Sequence, residues 1–186
     1  PVYCGIHDSN ASLIPHLLGG HPPFSVVSTG TWVIAMTIGG RSISLDPQRD
    51  TLVNVDAFNN PVPSARFMGG REFELLLGGI EDTSIDYQTL REVAKEGPML
   101  MPSVVTESGP FQGRQHVWIG DEPLYGEPQR MAAISYYLAM ISSQCLSLTG
   151  HDGPIVVEGP FARNRAYCIM LASAMQCKVY AASSTT

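Results

Sequence analysis

Residues 154–182 read PIVVEGPFARNRAYCIMLASAMQCKVYAA, and they decide the class of fold. PIVVEG is a short apolar run of the kind a sheet buries, PFARN a tight turn, RAYCIMLASAMQ a helix and CKVYAA a second strand. Strand, helix, strand is a βαβ unit: its strands run parallel, and its helix has to cover one face of their sheet.

Outward from this unit, the preceding segment from Pro128 to Thr149 places Ile134, Leu138, Ile141, Cys145 and Leu148 at helical spacing. Pro128 suits a first turn and Gly150 a stop, so the main core helix is expected here. Near the other end, Ala11 to Leu18 is short and helix-compatible, limited by Pro15 and closed by GGHPP. FSVVSTGTWVIAMTI, residues 24–38, gives two β-rich runs around a turn of Ser, Thr and Gly, broken after Ile38 by Gly39 and Gly40. That is a hairpin signal. TLVNVDAF is a third run ending at Asn59-Asn60, and VPSARFMGG leads into a helix at REFELLLGG, so three neighbouring strands and a helix are expected. Between Ile80 and Glu122, DYQTLREVAKEG reads as an amphipathic helix ending at Gly97, and residues 99–122 as loop with short strands. The predicted order is β-β-β-α, an irregular insertion, then α-β-α-β.

The chain has 186 residues, enough to bury one sizeable core, and a formal net charge of −6. That acidic balance argues against nucleic acid as a partner, because a phosphate backbone demands clustered Lys and Arg. A small nucleotide remains compatible, since backbone N–H groups can hold its phosphates. No apolar run reads as a membrane span and none as a signal peptide, so no membrane partner is expected and a cytoplasmic location is the simplest. Cys4, Cys145, Cys168 and Cys177 lack C-x-x-C spacing and read as buried thiols of a reducing compartment. The chain begins at Pro1 and stops just after a strand-like segment, which reads as a lobe cut from a larger enzyme.

Four stretches, GIHDSNASL, VVSTGTWVIAM, FMGGREFELL and VVEGPFARN, occur in an order and spacing that resemble the FGGY family of carbohydrate kinases, nearest its rhamnulose and fuculose kinase branch. The resemblance implies an α/β fold: the C-terminal, nucleotide-binding lobe of an actin-like ATPase or ribonuclease H-like architecture, a mixed sheet with helices on both faces. It implies that residues 1–186 are that lobe, truncated at both ends, with the N-terminal lobe outside the chain. It also implies ATP-dependent phosphorylation of a sugar hydroxyl on a ketose, deoxyketose or polyol, with ATP and Mg²⁺ required and an isolated lobe close to inactive.

Asp8 stands at the position of the family's general base, where a carboxylate within reach of the attacking hydroxyl orients it and takes its proton. Ser9, Asn10, Ala11 and Ser12 leave room for the sugar, and His7 stands where the rhamnulose kinases also have a sugar-contacting His. A helix N-cap is the bland reading of Asp8. In STGTW, Gly30 lets backbone approach a phosphate and Thr31 adds a hydroxyl, with Thr29 and Ser28 nearby; an ordinary hairpin turn would look the same. Gly70 stands for a nucleotide-contacting glycine at a helix start, and Glu74 for a residue that is Gln in several members, a change of charge that a solvated first-turn Glu explains equally. Gly159 and Asn164 match the adenosine motif, with Glu158 and Pro160 departing from its small residues; Asn164 also suits a plain helix cap.

His16, His21, His116 and His151 have no ligand-like spacing, and no metal ligand is assigned. Trp32 and Trp118 read as packing groups, and Met99, Met101, Met131 and Met140 as core filling. The expected partners are a sugar, ATP and the protein's own N-terminal lobe, with a homo-oligomer left open. The rival reading is a non-catalytic actin-like nucleotide-binding or assembly domain, which would have no use for a carboxylate at the sugar side.

Overall fold

A computed structural model describes residues 8–79 and 85–182, with side chains from Asn10 onward. Two short helices, α1 (Asp8–Ala11) and α2 (Leu13–Gly19), precede the hairpin of β1 (Phe24–Thr29) and β2 (Val33–Ile38). Pro15 falls in the first turn of α2, where its missing N–H costs nothing, so helix and proline coexist. Next come β3 (Thr51–Val55), β4 (Pro61–Phe67), α3 (Gly69–Leu77) and α4 (Tyr87–Glu96). The pair β5 (Met99–Met101) and β6 (Val117–Ile119) forms a separate small ribbon. The long α5 (Pro128–Leu148) leads into the βαβ unit: β7 (Ile155–Glu158), α6 (Arg165–Met175) and β8 (Val179–Ala181).

The main sheet runs β3-β4-β2-β1-β7-β8. Strands β1 to β4 pair antiparallel, whereas β7 runs parallel to both β1 and β8. The expectation of three strands before α3 is corrected to four, because residues 61–67 form a strand rather than a lead-in. Pro61 and Pro63 argue against an interior strand, since proline cannot donate to a ladder. The chain resolves the conflict by pairing β4 with β2 only over Ser64 to Phe67, leaving both prolines beyond that stretch.

Strand alternation divides the core in two. On one face, Val27, Val33, Ala35, Ala65, Phe67, Ile155 and Val157 meet α5 and α6 through Ile134, Leu138, Ile141, Cys145 and Leu171. On the other, Phe24, Val26, Met36, Ile38 and Val62 are covered by Leu13 and Leu17 of α2. Helices therefore lie on both faces of a mixed sheet. The apolar stripe of α5 follows the expected spacing except at its end, where Leu146 rather than Leu148 is buried. Among the described residues, α5 alone is long and apolar enough to cross a membrane, and most of its apolar stretch is buried inside the domain.

Met131 is in the core, but Met99 and Met140 are 57% and 50% exposed, which corrects their assignment to core filling. With Met101, Tyr136 and Phe111 they line a cleft between the α4–β5 turn and α5. Arg130 is buried, donating to the carbonyls of Leu76 and Pro123 and to Glu122. Of the cysteines, Cys145 is buried while Cys168 and Cys177 are only half-buried, all three as free thiols; Cys4 lies outside the described residues.

Candidate functional site

The parallel pairing of β1 with β7 brings distant motifs together. Ser28 pairs with Glu158 in register, so the hairpin turn after β1 and the turn after β7 emerge side by side. The Thr29 hydroxyl stitches them: it donates to the Glu158 carbonyl at 2.6 Å and accepts from the Phe161 amide at 3.0 Å. Thr29 is buried, and its side chain faces this junction.

Gly159 follows at φ +80° and ψ −163°, a region open essentially to glycine alone. A Cβ there would also strike the Thr29 carbonyl oxygen and hydroxyl. Gly70 serves the same turn from the other side. Any Cβ on it would run into the Gly30 carbonyl, and the amides of Gly70 and Arg71 donate to the Thr31 carbonyl at 3.2 and 3.3 Å. The start of α3 thus spends these two N–H groups on the turn. Gly30 differs: a Cβ there would meet only the Trp32 carbonyl, at 3.9 Å, and Gly30 and Thr31 are exposed. Two glycines therefore support the turn, and its tip, Gly30-Thr31, faces outward.

Asn164 caps α6, its Oδ1 accepting from the Tyr167 amide while Nδ2 donates to Ser135 Oγ, both at 3.0 Å. Glu74 is 70% exposed and only pairs with Arg71 one turn away, at 3.5 Å. The buried carboxylate of α3 is Glu72, at 1% exposure. It accepts from the Val105 amide at 3.0 Å and the Tyr137 hydroxyl at 2.9 Å. Burial lifts its carboxyl above the usual range against the pull of those bonds. Glu72 thereby ties residues 103–105, next to α3, to the core helix. Sequence reasoning did not single out Glu72; its place one turn before the buried Leu76, on the inward face of the helix, was the available signal.

Asp8 opens α1; its side chain, the side chain of Ser9 and the whole of His7 lie outside the described residues. The segment that follows is held at the same junction. His16 Nε2 of α2 lies 3.1 Å from Glu158 Oε2, and Ser12 and Ser28 also hydrogen-bond this carboxylate. Burial would raise the Glu158 carboxyl, but these bonds and the His16 charge outweigh it and hold it below its ordinary value. Sequence spacing hid this pair, since 142 residues separate its members. His151, which is buried, sits 2.8 Å from Ser25 Oγ at the far end of β1. Among the described residues no group of three His, Cys, Asp or Glu is placed to hold a metal ion.

A family model described as the carbohydrate kinase FGGY C-terminal domain matches residues 21–186. No curated protein matches. Among solved structures, a carbohydrate kinase from Novosphingobium aromaticivorans is 36% identical at a TM-score of 0.84, covering 94% of this chain and 40% of that one. Xylulose kinase from Bifidobacterium adolescentis (18% identity, TM-score 0.65, 92% of this chain and 35% of that) shares the fold. So does Plasmodium falciparum glycerol kinase with ADP (12%, 0.56, 83% and 34%). The chain thus spans well under half the length of these structures.

Proposed function

This chain belongs to the FGGY family of carbohydrate kinases, and from that premise we propose that the protein containing it transfers the terminal phosphoryl group of ATP to a hydroxyl of a ketose, deoxyketose or polyol. The observation that carries the reading is the convergence of the Thr29–Thr31 turn, Gly70 and Gly159 on one spot beside the α1–α2 segment that carries Asp8.

In this reading Asp8 accepts the proton of the sugar hydroxyl as the hydroxyl oxygen bonds to the terminal phosphorus. The bond from that phosphorus to its bridging oxygen breaks, and ADP leaves. Gly30 and Thr31 offer the outward backbone and hydroxyl for the phosphates, and Thr29 fixes the turn from beneath. Gly70, Gly159 and Asn164 shape the nucleoside side, with Glu74 at its edge. His7 and Ser9 flank Asp8 on the sugar side. Magnesium would arrive with the nucleotide phosphates: among the described residues no group of three His, Cys, Asp or Glu forms a cation site.

Catalysis needs a second lobe to close over the turn, so this chain alone would turn over little or nothing, and its cytoplasmic location is part of the same reading. Within the family, His7-Asp8 supports the rhamnulose and fuculose branch, although the similar structures include proteins named as xylulose, glycerol and gluconate kinases. The test is ATP consumption by the full-length protein against ketoses, deoxyketoses and polyols, with Mg²⁺ present and omitted. Selective, Mg²⁺-dependent turnover of one sugar is the expected result. Nucleotide binding without turnover of any sugar would overturn it in favour of a non-catalytic actin-like domain.

A further inference from the structure

We infer that Glu158 is a positioning residue for the transfer step: its carboxylate holds the α1–α2 segment, and with it Asp8, in register with the Thr29–Thr31 turn. The inference rests on the kinase reading above and adds a role to a residue outside its assigned machinery.

Glu158 is held from two sides. Its main-chain carbonyl receives the Thr29 hydroxyl, which fixes it to the phosphate turn. Its carboxylate meets His16 at 3.1 Å and hydrogen-bonds Ser12, which fixes it to α1–α2. Both side chains of the His16–Glu158 pair are less than a fifth exposed, so the contact is sheltered from much of the solvent screening that weakens surface pairs.

The chemistry gives this contact a reason. A carboxylate next to a turn that binds phosphate repels the ligand unless its charge is engaged elsewhere. Here three donors engage it, and all its bonds beyond Ser28 lead to the segment carrying Asp8. Among the described residues, Leu13 and Leu17 also anchor that segment, on the outer sheet face. Apolar contacts of this kind resist withdrawal but not rotation or sliding, because the hydrophobic effect has no direction. Hydrogen bonds do have direction. Ser12 directly follows the last residue of α1, the helix that opens with Asp8, so a bond at Ser12 constrains the angle at which α1 is held. A base displaced by about 1 Å loses on the order of 100-fold in rate.

The experiment is run on the full-length protein with Glu158→Ala, Glu158→Gln, His16→Ala and the double variant Glu158→Ala/His16→Ala. Three quantities are read: sugar-dependent kcat, nucleotide Kd, and hydrogen exchange of the amides of residues 10–20. We expect kcat to fall roughly 10- to 100-fold in both alanine variants with nucleotide Kd within about twofold, the double variant no worse than either single one. Exchange in residues 10–20 should speed up, and Glu158→Gln, which keeps an acceptor, should recover part of kcat. Parent kcat in folded alanine variants would overturn the inference, as would a loss confined to nucleotide affinity. Unchanged exchange in Glu158→Ala would overturn the anchoring itself, whatever the activity. A parent protein that phosphorylates no sugar would instead sink the kinase reading, a result the exchange measurement tells apart.

Discussion

The α-carbon of Gly159 packs on the carbonyl oxygen of Thr29 so closely that no side chain fits between them. Gly159→Ala must therefore distort the backbone at φ +80° and part the β1 and β7 turns at once. We expect a loss of about 2 kcal/mol or more in urea unfolding. Thr29→Val keeps the shape but strands the Phe161 amide, and should cost about 1–3 kcal/mol. A Gly159→Ala variant as stable as the parent would mean that this junction is not tight in solution.

Asp8→Asn in the full-length protein removes the proton acceptor while keeping size and polarity. Turnover with the best sugar should drop by about 100- to 10,000-fold, with nucleotide affinity retained. Isothermal titration with nucleotide beside a coupled ATP assay separates the two quantities. A variant running at the parent rate would remove Asp8 from the chemistry.

Glu72 gives the fold a pH dependence of known sign. Burial raises its folded carboxyl above the unfolded value of 4.5. Its contribution to stability is therefore complete below that value and is lost as pH rises through the folded pKa. Glu72→Gln carries no ionisable group, so relative to the parent it should gain stability as the pH is raised from 4.5. Denaturation of both proteins across that range measures the difference, and parallel pH curves would show that folding leaves the Glu72 carboxyl unshifted. Glu72→Ala, which leaves the Val105 amide without its acceptor, should lose about 1–3 kcal/mol near pH 4.5, where the parent keeps its full contribution.

Asn164 is used through its oxygen. Asn164→Ala should cost about 1 kcal/mol through the lost cap of α6 and weaken nucleotide binding together with it. Asn164→Asp keeps the capping oxygen and should restore both, since Nδ2 is turned toward Ser135. Restored stability without restored affinity would show instead that the amide nitrogen reaches the nucleotide.

Much of this was legible from local pattern. The α5 stripe, the βαβ unit and the Gly-closed helix at residues 87–96 follow from periodicity and end signals, because each is fixed by contacts near in sequence. Strand β4 was not legible, because its prolines contradict it and only the register with β2 reconciles them. At the site, the turn and its glycines could be picked out as residue types. Their division of labour could not: Gly70 and Gly159 are glycines because another backbone occupies the space where a Cβ would be, and only the folded chain shows that backbone.

Apart from β4, the sequence by itself determined the main elements, their order and the family, since these rest on spacing, caps and motifs carried along the chain. The tertiary structure alone decided which carboxylates matter and to whom they are bound. Glu74 and Glu72 are two residues apart on one helix, yet one lies in solvent and the other in the core. His16 and Glu158 meet across 142 residues because β7 runs parallel to β1 and ends beside the segment that carries Asp8. Burial and partnership of charge are properties of where elements pack, and no local spacing encodes them.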